Sequence, residues 1–318
     1  MSSNGDAQEE VLPEVEQEPI EKNQFCLDDL ADDEECIDIT MTRAAHVPEL
    51  ARFNRLSLLT IRSNLLKEVN GNLRPLSALV ELDLYENQLT TIANLESLVN
   101  LEKLDLSYNR IKEITGLECL VRLKHLYLVH NKISHITGLE TLVDLELLEL
   151  GDNRIKRLEN IGHLTKLKEL YAGKNKIQRI QGIESLTQLQ KLSLPANVLM
   201  VIENVDSLVN LEELYLADQG LTTLDGLSNL KKLRIVDVAN NSLESLAQLA
   251  ELPLIEDIWA DNNKISSWTE VDKLSKLEHL DTIYLERNPL YHDDITGYRR
   301  KMILALPQVS QIDATHCR

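Results

Sequence analysis

From residue 56 onward the apolar residues follow one pattern, LxxLxLxxNxL, which returns eleven times. Its Asn positions are Asn64, Asn87, Asn109, Asn131, Asn153, Asn175, Asn197, Asn241, Asn263 and Asn288, with Gln219 standing in once. Eight consecutive spacings equal 22 residues, the first is 23 and the last 25. One period back from the first LxL segment lies Ile37-Asp38-Ile39, a degenerate opening unit. A fixed period of this length marks units that bury their apolar faces only by stacking on their neighbours.

Within a unit the LxL residues alternate, so Leu104 and Leu106 point into the coil while Asp105 points out. The following Asn turns the chain, and its amide is placed to bond backbone groups that the turn leaves unpaired. Beyond it, apolar residues recur every third position, as in Ile111, Ile114, Leu117, Leu120 and Leu123, which predicts tight helical turns. Strands on one side and narrower turns on the other must curve. The predicted fold is an α/β leucine-rich-repeat solenoid with a parallel concave sheet, short 3-10 or α turns on the convex side and a C-terminal cap. Eleven strands about 4.8 Å apart give a sheet about 50 Å along its arc, enough to embrace a globular domain. Residues 1–36 read as an acidic disordered tail, 37–290 as about 11 to 12 repeats and 291–318 as the cap. The amphipathic stretch 298–307, followed by Val309 and Ile312, suits that last role.

The outward residue of each LxL segment forms a column that reads Thr60, Asp83, Asp105, Tyr127, Glu149, Tyr171, Ser193, Tyr215, Asp237, Trp259 and Tyr284. Five of the eleven are aromatic in a chain with only eight Tyr, two Trp and two Phe, where chance would place fewer than one. Cross-strand stacking is one cause, at about 0.2 to 1 kcal/mol a pair. The other is a binding face, because Tyr and Trp dominate interface hot spots and exposed rings gain little until covered. Asp83, Asp105, Glu149 and Asp237 stand among the rings, and Asp257, two residues before Trp259, shares its face. Aromatics anchor and carboxylates select basic groups, so the expected ligand is a protein surface with Lys or Arg amid apolar residues.

Composition sharpens this picture. Leu supplies 61 of 318 residues, so the core is aliphatic. The net charge of -19 is uneven: residues 1 to 40 hold 14 Asp/Glu against one Lys. Such a field disfavours nucleic acid, whose binding needs clustered Lys and Arg. The sequence holds no GxSxG, GxxxxGK[ST] or HExxH and no GxGxxG after a strand, so no catalytic residue, cofactor or metal site is expected. His125, His130 and His135 are sent by register to strand, turn and convex side and do not converge. Cys26, Cys36, Cys119 and Cys317 form no CxxC pair, the N-terminus lacks a basic start with an apolar stretch, and no 18 apolar residues run together. The expected compartments are nucleus and cytoplasm, with no membrane span.

Several stretches then resemble one family, the leucine-rich-repeat regulatory subunit of type-1 serine/threonine protein phosphatase (regulatory subunit 7). They are the 22-residue period, the segment Ile283-Tyr284-Leu285-Glu286-Arg287-Asn288-Pro289-Leu290, and the cap from Tyr298-Arg299-Arg300-Lys301 to Gln311-Ile312-Asp313-Ala314-Thr315. The resemblance covers about 37 to 315. It implies that the concave column, here Asp105, Tyr127, Glu149, Tyr171, Asp237, Asp257, Trp259 and Tyr284, grips the catalytic subunit of protein phosphatase 1. It further implies control of that enzyme's activity and maturation, often beside a further phosphatase inhibitor protein in a ternary complex. The family pattern has Phe where Tyr127 and Tyr171 stand and Glu where Asp257 stands. No Phe or Trp here follows Val or Ile at the spacing of the short [VI]x[FW] docking peptide, so a concave-face mode is required. The competing expectation, from the acidic tail, is a histone-binding chaperone of leucine-rich-repeat type.

Overall fold

The computed structural model describes residues 27–317. Among these residues fourteen strands form one sheet in strict chain order. Twelve belong to the repeats, each three residues long and parallel to its neighbours. They are β1 (Cys36–Asp38), β2 (Leu58–Thr60), β3 (Glu81–Asp83), β4 (Lys103–Asp105), β5 (His125–Tyr127), β6 (Leu147–Glu149), β7 (Glu169–Tyr171), β8 (Lys191–Ser193), β9 (Glu213–Tyr215), β10 (Ile235–Asp237), β11 (Asp257–Trp259) and β12 (Thr282–Tyr284). From β2 to β12 the middle residue is buried and the two flanking residues are half-buried, as alternation requires. One continuous aliphatic core runs the length of the array. Leu106 is fully enclosed in it. Leu106→Ala should therefore lower the unfolding free energy by about 2 to 5 kcal/mol, read as a shift of the urea midpoint, because the vacated volume lies between coils that are fixed by their neighbours.

The expected helical turns are mostly absent from the described convex side. Isolated i to i+3 bonds replace them, as in Leu98 N to Leu95 O and Leu101 N to Leu98 O, both 3.0 Å. Among the described residues, short 3-10 segments form only at Gly71–Leu73, Leu249–Glu251 and Leu274–Lys276. The interruption has a backbone cause: Asn94, Gly116, Gly138, Asn160, Gly182, Asn204 and Gly226 sit at positive φ, one per coil. Gly and Asn are the residues that accept this left-handed turn. At Gly138 a Cβ would come within 2.2 Å of the Ile114 carbonyl oxygen, so the coils also close up there. Where the spacing lengthens, structure is added: the 23-residue unit contains the segment Gly71–Leu73, and the 25-residue unit contains α1 (Trp268–Lys273).

The C-terminal edge is covered by α2 (Pro289–His292), α3 (Ile295–Ala305) and the hairpin of β13 (Gln311–Ile312) with β14 (Thr315–His316). Tyr298 and Met302 of α3 are buried against the last coil, with the Tyr298 ring 5.0 Å from Tyr291 and 6.2 Å from Trp268. A covered edge removes a template for pairing with other chains. At the other end, residues 27–35, grouped by charge with the acidic tail, turn onto the first coil. Leu27 and Leu30 pack on the core, and Arg52 donates to the carbonyls of Leu27 and Leu30 and to Asp32. The rest of that acidic segment, up to residue 26, lies outside the described residues.

Candidate functional site: the concave face

Parallel pairing sets the outward column in register. Asp83 faces Asp105, which faces Tyr127, then Glu149, Tyr171, Ser193, Tyr215, Asp237, Trp259 and Tyr284, one per strand. All nine residues singled out from sequence, Asp105, Tyr127, Glu149, Tyr171, Tyr215, Asp237, Asp257, Trp259 and Tyr284, lie on this one face. Asp257 opens β11 and flanks the column beside Trp259.

The rings are half-buried and partly engaged. The Tyr171 hydroxyl donates to Glu169 at 2.5 Å and the Tyr215 hydroxyl to Glu213 at 2.7 Å. Tyr284 accepts from Gln311 Nε2 at 2.8 Å, so the hairpin that closes the sheet also fixes the last ring of the column. Trp259 sits between Tyr215 and Tyr284, at centroid separations of 6.1 and 6.4 Å. Cross-strand packing therefore accounts for part of the enrichment at this end, worth about 0.5 to 1.5 kcal/mol a pair. It leaves one group unaccounted for: Trp259 Nε1 is buried with no hydrogen-bond partner among the described residues. A buried indole N–H normally finds one.

Beside Trp259 and Tyr284 the trough deepens into a depression lined also by Asp237, Asp261 and Glu286. Sequence reasoning missed Asp261 and Glu286 because it stopped at the LxL segment, yet each lies two residues past a column residue and so shares its face. The same next column carries Gly151, Gly173, Ala217 and Ala239, whose small side chains leave the trough open.

The carboxylates here are crowded. Burial, followed by repulsion from Asp105, pushes Glu149 above the usual carboxylate range. Burial raises Asp237 too, opposed by the Ala239 N–H and reinforced by Asp261 and Asp218. Asp261 rises mainly through burial. A folded-state value above the unfolded one means that the folded chain holds the proton more tightly, so ionisation costs stability as pH rises through that window. The cost is complete at neutral pH. Asp237→Asn, which keeps an oxygen for the Ala239 N–H bond of 3.0 Å, should raise the thermal midpoint at pH 7. Because Asp237 is partly exposed, solvent screening limits the gain to under about 1 kcal/mol. The difference from the parent chain should fade as pH is lowered toward about 4.

A second group of rings was not foreseen. Tyr85 and Tyr108 lie 4.9 Å apart, Tyr108 stacks on His130 at 4.7 Å, and the Arg62 guanidinium lies 4.3 Å over Tyr85. His130 Nδ1 meets Asp152 at 2.5 Å. Tyr108 and His130 take positive φ just past their strands, which throws their side chains along the rim of the sheet.

These repeats have known counterparts. The family model described as Leucine Rich repeats (2 copies) matches residues 77–119, 99–141 and 209–251. The chain is 52% identical over 99 residues to the Protein phosphatase 1 regulatory subunit SDS22 homolog of Caenorhabditis elegans, a stretch that covers 30% of each protein. It is 57% identical over 47 residues to Protein phosphatase 1 regulatory subunit 7 of Homo sapiens, which covers 15% of this chain and 12% of that protein. The matched stretches thus span less than a third of these relatives' length. An internalin of Listeria monocytogenes superposes with a TM-score of 0.75 over 89% of this chain and 87% of that one, at 21% identity. That likeness is one of fold. The chain is a leucine-rich-repeat solenoid, similar in sequence to phosphatase regulatory subunits.

Proposed function

We propose that the chain is a non-enzymatic regulatory subunit that binds the catalytic subunit of protein phosphatase 1 in its concave trough and controls that enzyme's activity, maturation or targeting. The observation that carries the reading is the in-register column of five rings and four carboxylates, with Asp257, Asp261 and Glu286 beside it. The names of the similar proteins, phosphatase regulatory subunits, support this choice of partner.

The chemistry is one of unmet demand. Carboxylates raised by burial and mutual repulsion gain when a partner brings Lys or Arg among them, and the rings gain when apolar surface replaces water. The unpartnered Trp259 N–H would donate to an acceptor on the same partner. On this reading a further phosphatase inhibitor protein joins the two in a ternary complex, and the complex serves nucleus and cytoplasm.

Titration calorimetry of the full chain against purified catalytic subunit tests the reading. Binding should survive removal of residues 1–26, since the trough lies wholly outside them. A histone chaperone would behave oppositely, keeping no phosphatase affinity and losing histone capture on that truncation. Failure of the full chain to bind the catalytic subunit would end the proposal.

A further inference from the structure

Outside the trough, charges on neighbouring coils mostly pair with opposite signs, as in Lys124 with Glu102, Lys168 with Glu146, Lys166 with Asp144 and Arg234 with Glu256. One edge breaks this rule. The residue after the repeat Asn is Arg110, Lys132, Arg154 and Lys176 on four consecutive coils. Their backbones are locked in register: Arg110 N donates to Leu89 O, Lys132 N to Ile111 O, Arg154 N to Ile133 O and Lys176 N to Ile155 O, all at 2.8 Å. Lys112 and Lys156, two residues further along their coils, and Arg157 widen the strip. All seven side chains are exposed, and none has an ion pair or side-chain hydrogen bond among the described residues.

Like charges on adjacent coils repel, so four in succession cost stability that a free solenoid does not recover. Lys112, Lys132 and Arg154 also line a depression together with Glu113, Ser134, His135 and Thr137. In a chain of net charge -19, this strip is a local exception to the molecule's field.

We infer that the edge formed by Arg110, Lys132, Arg154 and Lys176, with Lys112, Lys156 and Arg157 beside it, is a second interaction surface that takes an Asp- and Glu-rich protein segment. Charge complementarity selects the sign of the partner. Geometry selects its form: the four coils span about 14 Å at strand spacing, the length of four or five residues of extended chain. The surrounding negative field repels a polyanion much longer than the strip, so nucleic acid fits less well than a short acidic segment. The surface is opposite in sign to the trough and independent of it, so the solenoid would hold two partners at once.

The test needs no phosphatase. A fluorescein-labelled peptide of about a dozen Asp and Glu residues is titrated with the full chain at low ionic strength and followed by anisotropy. Binding is expected, weakened several-fold at about 0.3 M salt. The double variant Lys132→Gln/Arg154→Gln should lose about tenfold or more in affinity with a melting curve no lower than the parent's, while the control Lys231→Gln/Lys276→Gln should keep its affinity. Equal affinity of the two variants would overturn the inference. So would tighter binding of a labelled DNA duplex than of the peptide. Peptide binding that appears only after removal of residues 1–26 would also overturn it, since the chain's own acidic segment would then be the occupant.

Discussion

Asn153→Ala should lower the unfolding free energy by about 2 to 4 kcal/mol, a larger loss than its size suggests. Asn153 Nδ2 donates to the carbonyls of Leu128 at 2.9 Å and of Leu150 and Gly151 at 3.1 Å, while its Oδ1 accepts from Ile133 N at 3.0 Å. One side chain therefore completes the backbone of two coils inside the core. Alanine leaves the Ile133 N–H buried and unpaired, at a cost of about 1 to 3 kcal/mol, and leaves the Leu128 carbonyl with only the longer 3.2 Å bond from Asn131 Nδ2. Water cannot repair the loss without opening the stack. The chain contains its own comparison at Gln219, which still reaches Leu194 O and accepts from Leu199 N but does not bridge the carbonyls of its own turn. Gln219→Asn should accordingly stabilise by about 0.5 to 1.5 kcal/mol. Urea unfolding with the slope held constant checks both. A midpoint for Asn153→Ala within error of the parent would show that the amide ladder is not what ties coil to coil.

Trp259→Ala should weaken capture of the phosphatase catalytic subunit by about 2 to 4 kcal/mol, or about 30- to 1,000-fold in Kd. The indole sits at the centre of the Tyr215, Trp259 and Tyr284 group, borders the acidic depression and carries the unpartnered N–H. Loss of the ring removes an anchor and the shelter it gives to Asp237 and Asp261. Because Trp259 packs on two neighbours, the substitution also costs about 1 kcal/mol of folding stability. Trp259→Phe separates the two effects: it keeps ring packing and loses the N–H, so folding should recover while binding recovers only in part. Calorimetry on both variants, beside their melting curves, makes the distinction.

Register was legible in the sequence because an LxL segment has only one way to bury both leucines, which forces Asp105, Tyr127 and their equivalents onto a common face. The convex side was not. Apolar residues every third position fit a 3-10 helix and a chain of separate turns equally well, and the choice falls to a single left-handed residue per coil, Gly116 or Asn160 for example. The acidic character of residues 27–35 hid two apolar residues, Leu27 and Leu30, that fold onto the first coil once Arg52 satisfies the carbonyls beside them. Asp261 and Glu286 could have been read by following each strand two residues further. The Tyr85, Tyr108 and His130 stack could not, since Tyr108 and His130 leave the strand at positive φ and meet only through the stacking of coils.

Where the phosphatase sits is decided by site-specific photo-crosslinking. A benzophenone side chain placed at Tyr127 or Ser193, on the concave face, or at Val121 or Val143, exposed on the turns outside the strands, is irradiated in the presence of the catalytic subunit. Covalent adducts from Tyr127 and Ser193, with none from Val121 and Val143, are the predicted result. Adducts from the two valine positions alone would contradict it.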